Sequence, residues 1–223
     1  MLGTMTTSTR HQTAPVAAFA TALLLGLALT PTPATDEPAA WVAVFREQGT
    51  LVKVAATLRA VAAVLCLPAV LAVAPAFAGR GRRSFTAAAA ALLLASVAGL
   101  ATVGMVLWQS SAVAALDPAA AAAFVGQAQS SLLWLVPSVT YLAGMLLGFS
   151  MLGIAAWRAG FRRWSAVAIV LGLPVHIAIG DWWLTSAGGM VLLAAGLIGL
   201  AAQSVPRLRQ PAAGAHAPEG AAG

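Results

Sequence analysis

An ionisable side chain within an apolar run is costly in lipid and reads as functional by default. This chain holds few of them. His176 is the one histidine in such a run, with Gly172 and Gly180 four residues to either side on the same helical face. Its imidazole could hold a proton, a metal or a polar ligand; the plainer reading is a ring bonded to a neighbouring carbonyl or to interfacial water. A haem held by two histidines would need a second one in the membrane, and the chain has none there. Asp181 closes the turn before the last apolar run. It reads either as part of a ligand or proton site with His176, or as a solvated turn or helix cap. On a continuous helix the two would point roughly 140° apart, so a His–Asp relay needs the helix to end near Gly180. Arg59 stands at the mouth of another run, where it either snorkels to headgroups or meets Asp181 or an anionic ligand. Tyr141 lies inside a third run with Ser138 and Thr140, where Pro137 frees a carbonyl and kinks the helix. That is the nearest approach in the chain to a broken-helix binding site.

Other chemistry is missing. There is no metalloprotease H-E-x-x-H, phosphate-binding Walker loop, dinucleotide fingerprint or nucleophile elbow. No acidic residue falls inside an apolar run, so proton-coupled transport lacks its usual carboxylate. Cys66 is the single cysteine, which excludes an internal disulfide and a cysteine metal site and leaves a small packed side chain. Asparagine is absent, so there is no N-glycosylation sequon. No residue set is expected to be catalytic or to ligate metal, and no cofactor is implied.

The elements that must position these residues follow from composition. Of 223 residues, 61% are hydrophobic and 8% charged, whereas soluble chains carry roughly a quarter charged residues. Lipid is the solvent that accepts such a chain. The net charge of +6 does not point to nucleic acid, because the arginines sit in short clusters between apolar runs. The expected fold is all-α, a polytopic transmembrane helical bundle of about six spans at 14–30, 59–78, 85–108, 131–157, 164–180 and 183–203. An amphipathic segment at 39–58 would lie in the outer interface, bent at Gly49. Residues 109–130 are expected as a loop whose alanine run can form a helix, 1–13 as a cytoplasmic N-terminus and 204–223 as a disordered cytoplasmic tail. The first run is also short enough for a signal-peptide core, with Thr32-Pro33-Ala34 as its cleavage site. An uncleaved span is preferred because the topology then closes evenly.

Orientation comes from lysine and arginine. The N-terminus, the two basic turns and the tail hold Arg10, Arg80, Arg82, Arg83, Arg158, Arg162, Arg163, Arg207 and Arg209. The opposite side holds Arg46, Lys53 and Arg59, together with five of the six acidic residues. Both termini are therefore expected inside, in a bacterial cytoplasmic membrane. All seven tryptophans fall near a boundary drawn from hydropathy, as amphipathic indoles do.

Close packing at small residues joins helices in lipid. Gly144 and Gly148 form a G-x-x-x-G on the fourth span, the best candidate for a central packing helix, and Ala95/Gly99 and Ala195/Gly199 repeat the pattern on the third and sixth. The basic turns AGRGRRSF (78–85) and AGFRRWS (159–165) look alike and are read as one topology device used twice.

In order and spacing, FREQGTLVKVAATL (45–58) leading into the second span and GMLLGFSMLGIAAWRAGFRRWSAVAIVLG (144–172) resemble a bacterial six-helix membrane family defined as a domain of unknown function. The resemblance covers most of residues 14–203. It departs in alanine enrichment and in the arginine-heavy second turn, and it implies fold and location with no catalytic residues. The function expected is that of a non-enzymatic integral membrane protein, a structural or partner-binding subunit. The alternative is a small-solute transporter or channel with its site between the fourth and fifth spans. An enzyme acting on lipid ranks last, because the outer polar residues are scattered. The expected partners are the lipid bilayer and a homo-oligomer or other membrane subunit, not nucleic acid.

Overall fold

In a computed structural model, residues 7–33, 35–77, 79–178 and 183–209 are described. Among them every regular element is helical: α1 Thr7–Ala28, α2 Pro38–Glu47, α3 Gly49–Val73, α4 Arg82–Ala115, α5 Pro118–Ser130, α6 Leu132–Arg158, α7 Arg163–Ala178 and α8 Trp183–Arg209. Short 3-10 turns at Ala74–Ala76 and Gly79–Gly81 join α3 to α4.

Helices α1, α3, α4, α6, α7 and α8 pack against one another, each against two of the others. Four stretches are long and apolar enough to cross a membrane: Gly49–Ala76, Arg82–Ala115, Leu132–Arg158 and, within α8, Gly188–Val205. Among the residues whose side chains are described, shorter apolar stretches are Thr13–Ala28 of α1 and Arg163–Ile177 of α7. The bundle presents large apolar side chains outward, with Leu133 79%, Leu132 74% and Val97 68% exposed. A water-facing surface does not sustain apolar area of that extent.

Two devices mark the ends. At one end lie the basic turns, where Arg82, Arg83, Arg158, Arg162 and Arg163 are exposed. Buried Phe77 stacks on Phe85 at 4.5 Å and meets Phe161 at 5.2 Å between centroids, tying the two turns together. Helix α6 stops there because Gly160 takes φ +76°. Its N–H reaches Trp157 O (2.9 Å), and the Phe161 N–H reaches Ala156 O (3.0 Å). This double bond pattern with an apolar residue after the glycine is the Schellman ending. Gln203 of α8 closes the same end: its Oε1 accepts from Arg162 N–H (2.7 Å), and its Nε2 donates to Ser165 Oγ (2.9 Å) and Gly199 O (2.8 Å).

At the other end, α2 and α5 form a cap. Val42, Val44, Phe45, Val52, Val113, Ala121 and Val125 make a small core of their own there. Proline at the first position starts both helices, where no N–H is needed. Asp117 Oδ1 caps α5 by accepting from Ala119 and Ala120 N–H, both at 3.0 Å. Arg46 Nη2 donates to Leu116 O at 2.6 Å and to Val113 O at 3.5 Å, placing a cation on the C-terminal carbonyls of α4.

Three boundaries differ from those read in the sequence. The amphipathic segment and the second span are divided at Gln48, so residues 49–58 belong to the same helix as the span. The stretch 109–130 is almost wholly helical, because buried Gln109, Ser110 and Val113 continue α4 and the Asp117 cap starts α5. Helix α8 runs on to Arg209, six residues into the expected tail, with Ser204 and Val205 buried and Ser204 Oγ donating to Leu200 O (2.9 Å). Residues 210–223 lie outside the described part.

Candidate functional site

Heptad-like stripes from three helices converge below the cap. Val52, Ala55, Ala56 and Arg59 recur at i, i+3, i+4 and i+7 on α3; Thr102, Val106 and Gln109 at i, i+4 and i+7 on α4; Trp134, Ser138 and Tyr141 at i, i+4 and i+7 on α6. These intervals keep each set on one helical face. They enclose a cavity of roughly 210 Å³. Trp41, Val44 and Phe45 of α2 roof it, Gln129 closes it from the end of α5, and Thr30 and Pro31 from the exit of α1.

The polar atoms of this lining are short of partners. Arg59 Nε, Gln109 Oε1 and Ser138 Oγ are buried with no hydrogen bond. They are the three such side-chain atoms found among the described residues, and all three belong to the lining of one cavity. Each buried group left unsatisfied costs on the order of 1–3 kcal/mol, more if charged. Thr102, by contrast, satisfies itself on Ala98 O at 3.0 Å.

Arg59 and Tyr141, singled out separately in the sequence, meet here. The guanidinium carbon lies 5.5 Å from the Tyr141 ring centroid, within cation–π range. Both residues also border a smaller void of about 20 Å³ beneath the cavity, lined in part by Ala62, Ser96 and Met145. No carboxylate lines either space, so the arginine charge is not balanced within the lining.

His176 is placed elsewhere. It lies on α7 against α8, where a Cβ built at Gly189 would come within 2.5 Å of the His176 backbone nitrogen. Tyr141 turns toward Gly99 of α4, while α6 meets α7 through a different residue, Gly153, which faces Ala166 and Val170. Tyr141 and His176 therefore stand on different seams, α4–α6 and α7–α8. Asp181 lies outside the described residues. Gly144 and Gly148 face α4: a Cβ at Gly144 would stand 2.9 Å from Ala95 Cβ, and one at Gly148 would stand 2.6 Å from Leu92 Cγ. Among the described residues no three of His, Cys, Asp and Glu gather as a metal site would need.

The sequence reading missed Gln109 and Thr102. A signal existed: the two stand seven apart in an apolar run, two turns along one face. Ending the third span at Trp108 hid it, by moving Gln109 into a loop.

No family model, curated protein or solved structure matches the chain. The resemblance drawn from residues 45–58 and 144–172 therefore brings no residue roles to the site.

Proposed function

We propose that the chain is a non-enzymatic integral membrane protein that binds a small solute in the cavity under the α2–α5 cap, as a transporter, channel or ligand-binding subunit does. In this reading it crosses a bacterial cytoplasmic membrane six times with both termini inside, and the cap faces outward. Arginine distribution supports that orientation. The observation that carries the proposal is the convergence of three unpartnered polar atoms on one cavity. Groups held out of water without a protein partner are poised for a ligand. Helices α3, α4 and α6 set their positions, and the cap helices pack over them through a separate small core.

Cysteine accessibility tests it. Cys66 is the single cysteine and is buried, so Cys66→Ala supplies a clean background. Ser138→Cys should react with a membrane-impermeant maleimide added from outside, and reporters after Gly81 and Gly160 should read cytoplasmic while one after Asp117 reads external. Ser138→Cys that labels only after denaturation would show a sealed cavity and overturn the proposal.

A second reading keeps the expectation of a partner-binding subunit. It is favoured by an open notch on α4, where Gly104 meets nothing within 4 Å and Val97 and Trp108 are 68% and 59% exposed on the same face. Crosslinking through Gly104→Cys in native membranes would trap a second copy or another subunit; the reading fails if only monomer is recovered.

A further inference from the structure

We infer that the occupant of this cavity is a small amphipathic anion: a carboxylate or phosphate head held by Arg59, a hydroxyl or amine bonded to Gln109 and Ser138, and an apolar body against the aromatic roof. The inference rests on the reading of the cavity as a ligand site and names its ligand class.

Four observations converge on that chemistry. Arg59 is the one charged residue of the lining. A positive charge in a low-dielectric space without a carboxylate calls for an anion. Tyr141 covers one face of the guanidinium at 5.5 Å, which leaves the donor edge as its route to a ligand, and that edge matches carboxylate and phosphate geometry. Buried Gln109 and Ser138 supply a second, neutral pole with both donor and acceptor character. The remaining wall includes Trp41, Phe45 and Trp134, which suits an apolar body rather than an inorganic ion. A space of roughly 210 Å³ admits a free amphiphile of modest length or a lipid headgroup.

The test uses the full chain purified in a neutral maltoside detergent, with tryptophan emission and melting temperature as readouts. The probes are hexanoate as a free anion, hexanol and hexylamine as its neutral and cationic counterparts, and dihexanoyl phosphatidylglycerol as a headgroup source. Hexanoate or the phosphatidylglycerol should shift both readouts, while hexanol and hexylamine should not. Binding of hexanoate alone assigns a free solute, and binding of the lipid alone assigns a headgroup. Arg59→Gln should weaken binding at least about tenfold, as loss of a charge-assisted hydrogen bond does. Lys53→Gln removes an exposed charge outside the lining and should leave binding unchanged. Should Arg59→Gln fail to fold, weaker binding by Arg59→Lys with the preference for hexanoate over hexanol retained carries the same test. Equal or tighter binding of hexanol or hexylamine overturns the anion assignment and leaves the cavity a ligand site. Silence from every probe overturns the anion assignment as well, and joined to a Ser138→Cys that stays unlabelled it also removes the ligand-site reading.

Discussion

Gly144→Ala should loosen the seam between α6 and α4, and the same substitution at Gly104 should not. A Cβ at Gly144 would lie 2.9 Å from Ala95 Cβ, 3.0 Å from Ala91 O and 3.3 Å from Ala95 Cα. Carbon atoms rest at about 3.5–4.0 Å, and a gap of 0.5–1 Å already forfeits a quarter to a half of each contact's dispersion energy. None of the three atoms is the end of a flexible side chain, so α6 must move off α4 by something of that size. Overpacking of this kind costs about 1–3 kcal/mol. Alanine returns up to about 1 kcal/mol of helix propensity, which leaves a net loss of up to about 2 kcal/mol. In lipid, packing itself is the attraction between helices, so no hydrophobic term compensates. Gly104 has nothing within 4 Å of its added methyl, so Gly104→Ala keeps only the propensity gain and should be neutral or stabilising by up to about 1 kcal/mol. Reversible unfolding by SDS in mixed micelles, followed by tryptophan emission, separates the two. Adding Ala95→Gly to Gly144→Ala should recover part of the loss and not all, since Ala91 O remains. Equal stability of Gly144→Ala and Gly104→Ala would refute the packing argument.

Three further outcomes are expected. Phe77→Ala removes the buried ring that joins Phe85 to Phe161 and should cost about 3–5 kcal/mol in the same SDS titration. Asp117→Ala uncaps α5 and should cost about 1 kcal/mol, with hydrogen exchange of the Ala119 and Ala120 amides accelerated while α4 and α6 stay protected. Gln203→Ala removes the side-chain acceptor of the exposed Arg162 N–H and should cost about 0.5–1.5 kcal/mol, visible as faster proteolysis at the 158–163 turn.

Helices were legible in the sequence wherever hydropathy alone decides them. The apolar runs at 59–78, 85–108, 131–157 and 183–203 each fall within or across one of the four long apolar helices. Legibility ended where a helix outlasts its apolar run. Gln109 and Ser110 look like loop residues by composition, yet both are buried because the cap packs over them. Site residues were legible by type, since Arg59 and Tyr141 are conspicuous in an apolar chain. Their meeting was not, because residues 82 positions apart in sequence are joined only by the way α3, α4 and α6 face one another. No periodicity within a single helix reports which neighbour its polar face will meet.

The glycines and the polar residues, separate lists in the sequence, become one device in the structure. A Cβ at Gly99 would stand 3.0 and 3.1 Å from the Tyr141 ring carbons Cδ2 and Cε2. Glycine there is what lets the ring come so close to α4. A Cβ at Gly26 would stand 2.9 Å from Arg59 Cγ and 3.0 Å from Arg59 N, so glycine on α1 is what lets that helix close over the arginine stem. Thr30, one turn on, bonds back to Gly26 O at 2.7 Å and itself lines the cavity. The two site residues that hold each other at 5.5 Å are thus each seated on a missing side chain. A packing change at Gly26 or Gly99 should be felt first as a displaced guanidinium or phenol, and only then as a loss of stability. Gly99→Ala is the sharper of the two, because the aromatic ring can yield by a few tenths of an ångström while the helices stay in place. It should therefore weaken hexanoate or phosphatidylglycerol binding with little change in the SDS midpoint. A parallel fall in binding and stability would show instead that the seam between α4 and α6 and the cavity are one rigid body.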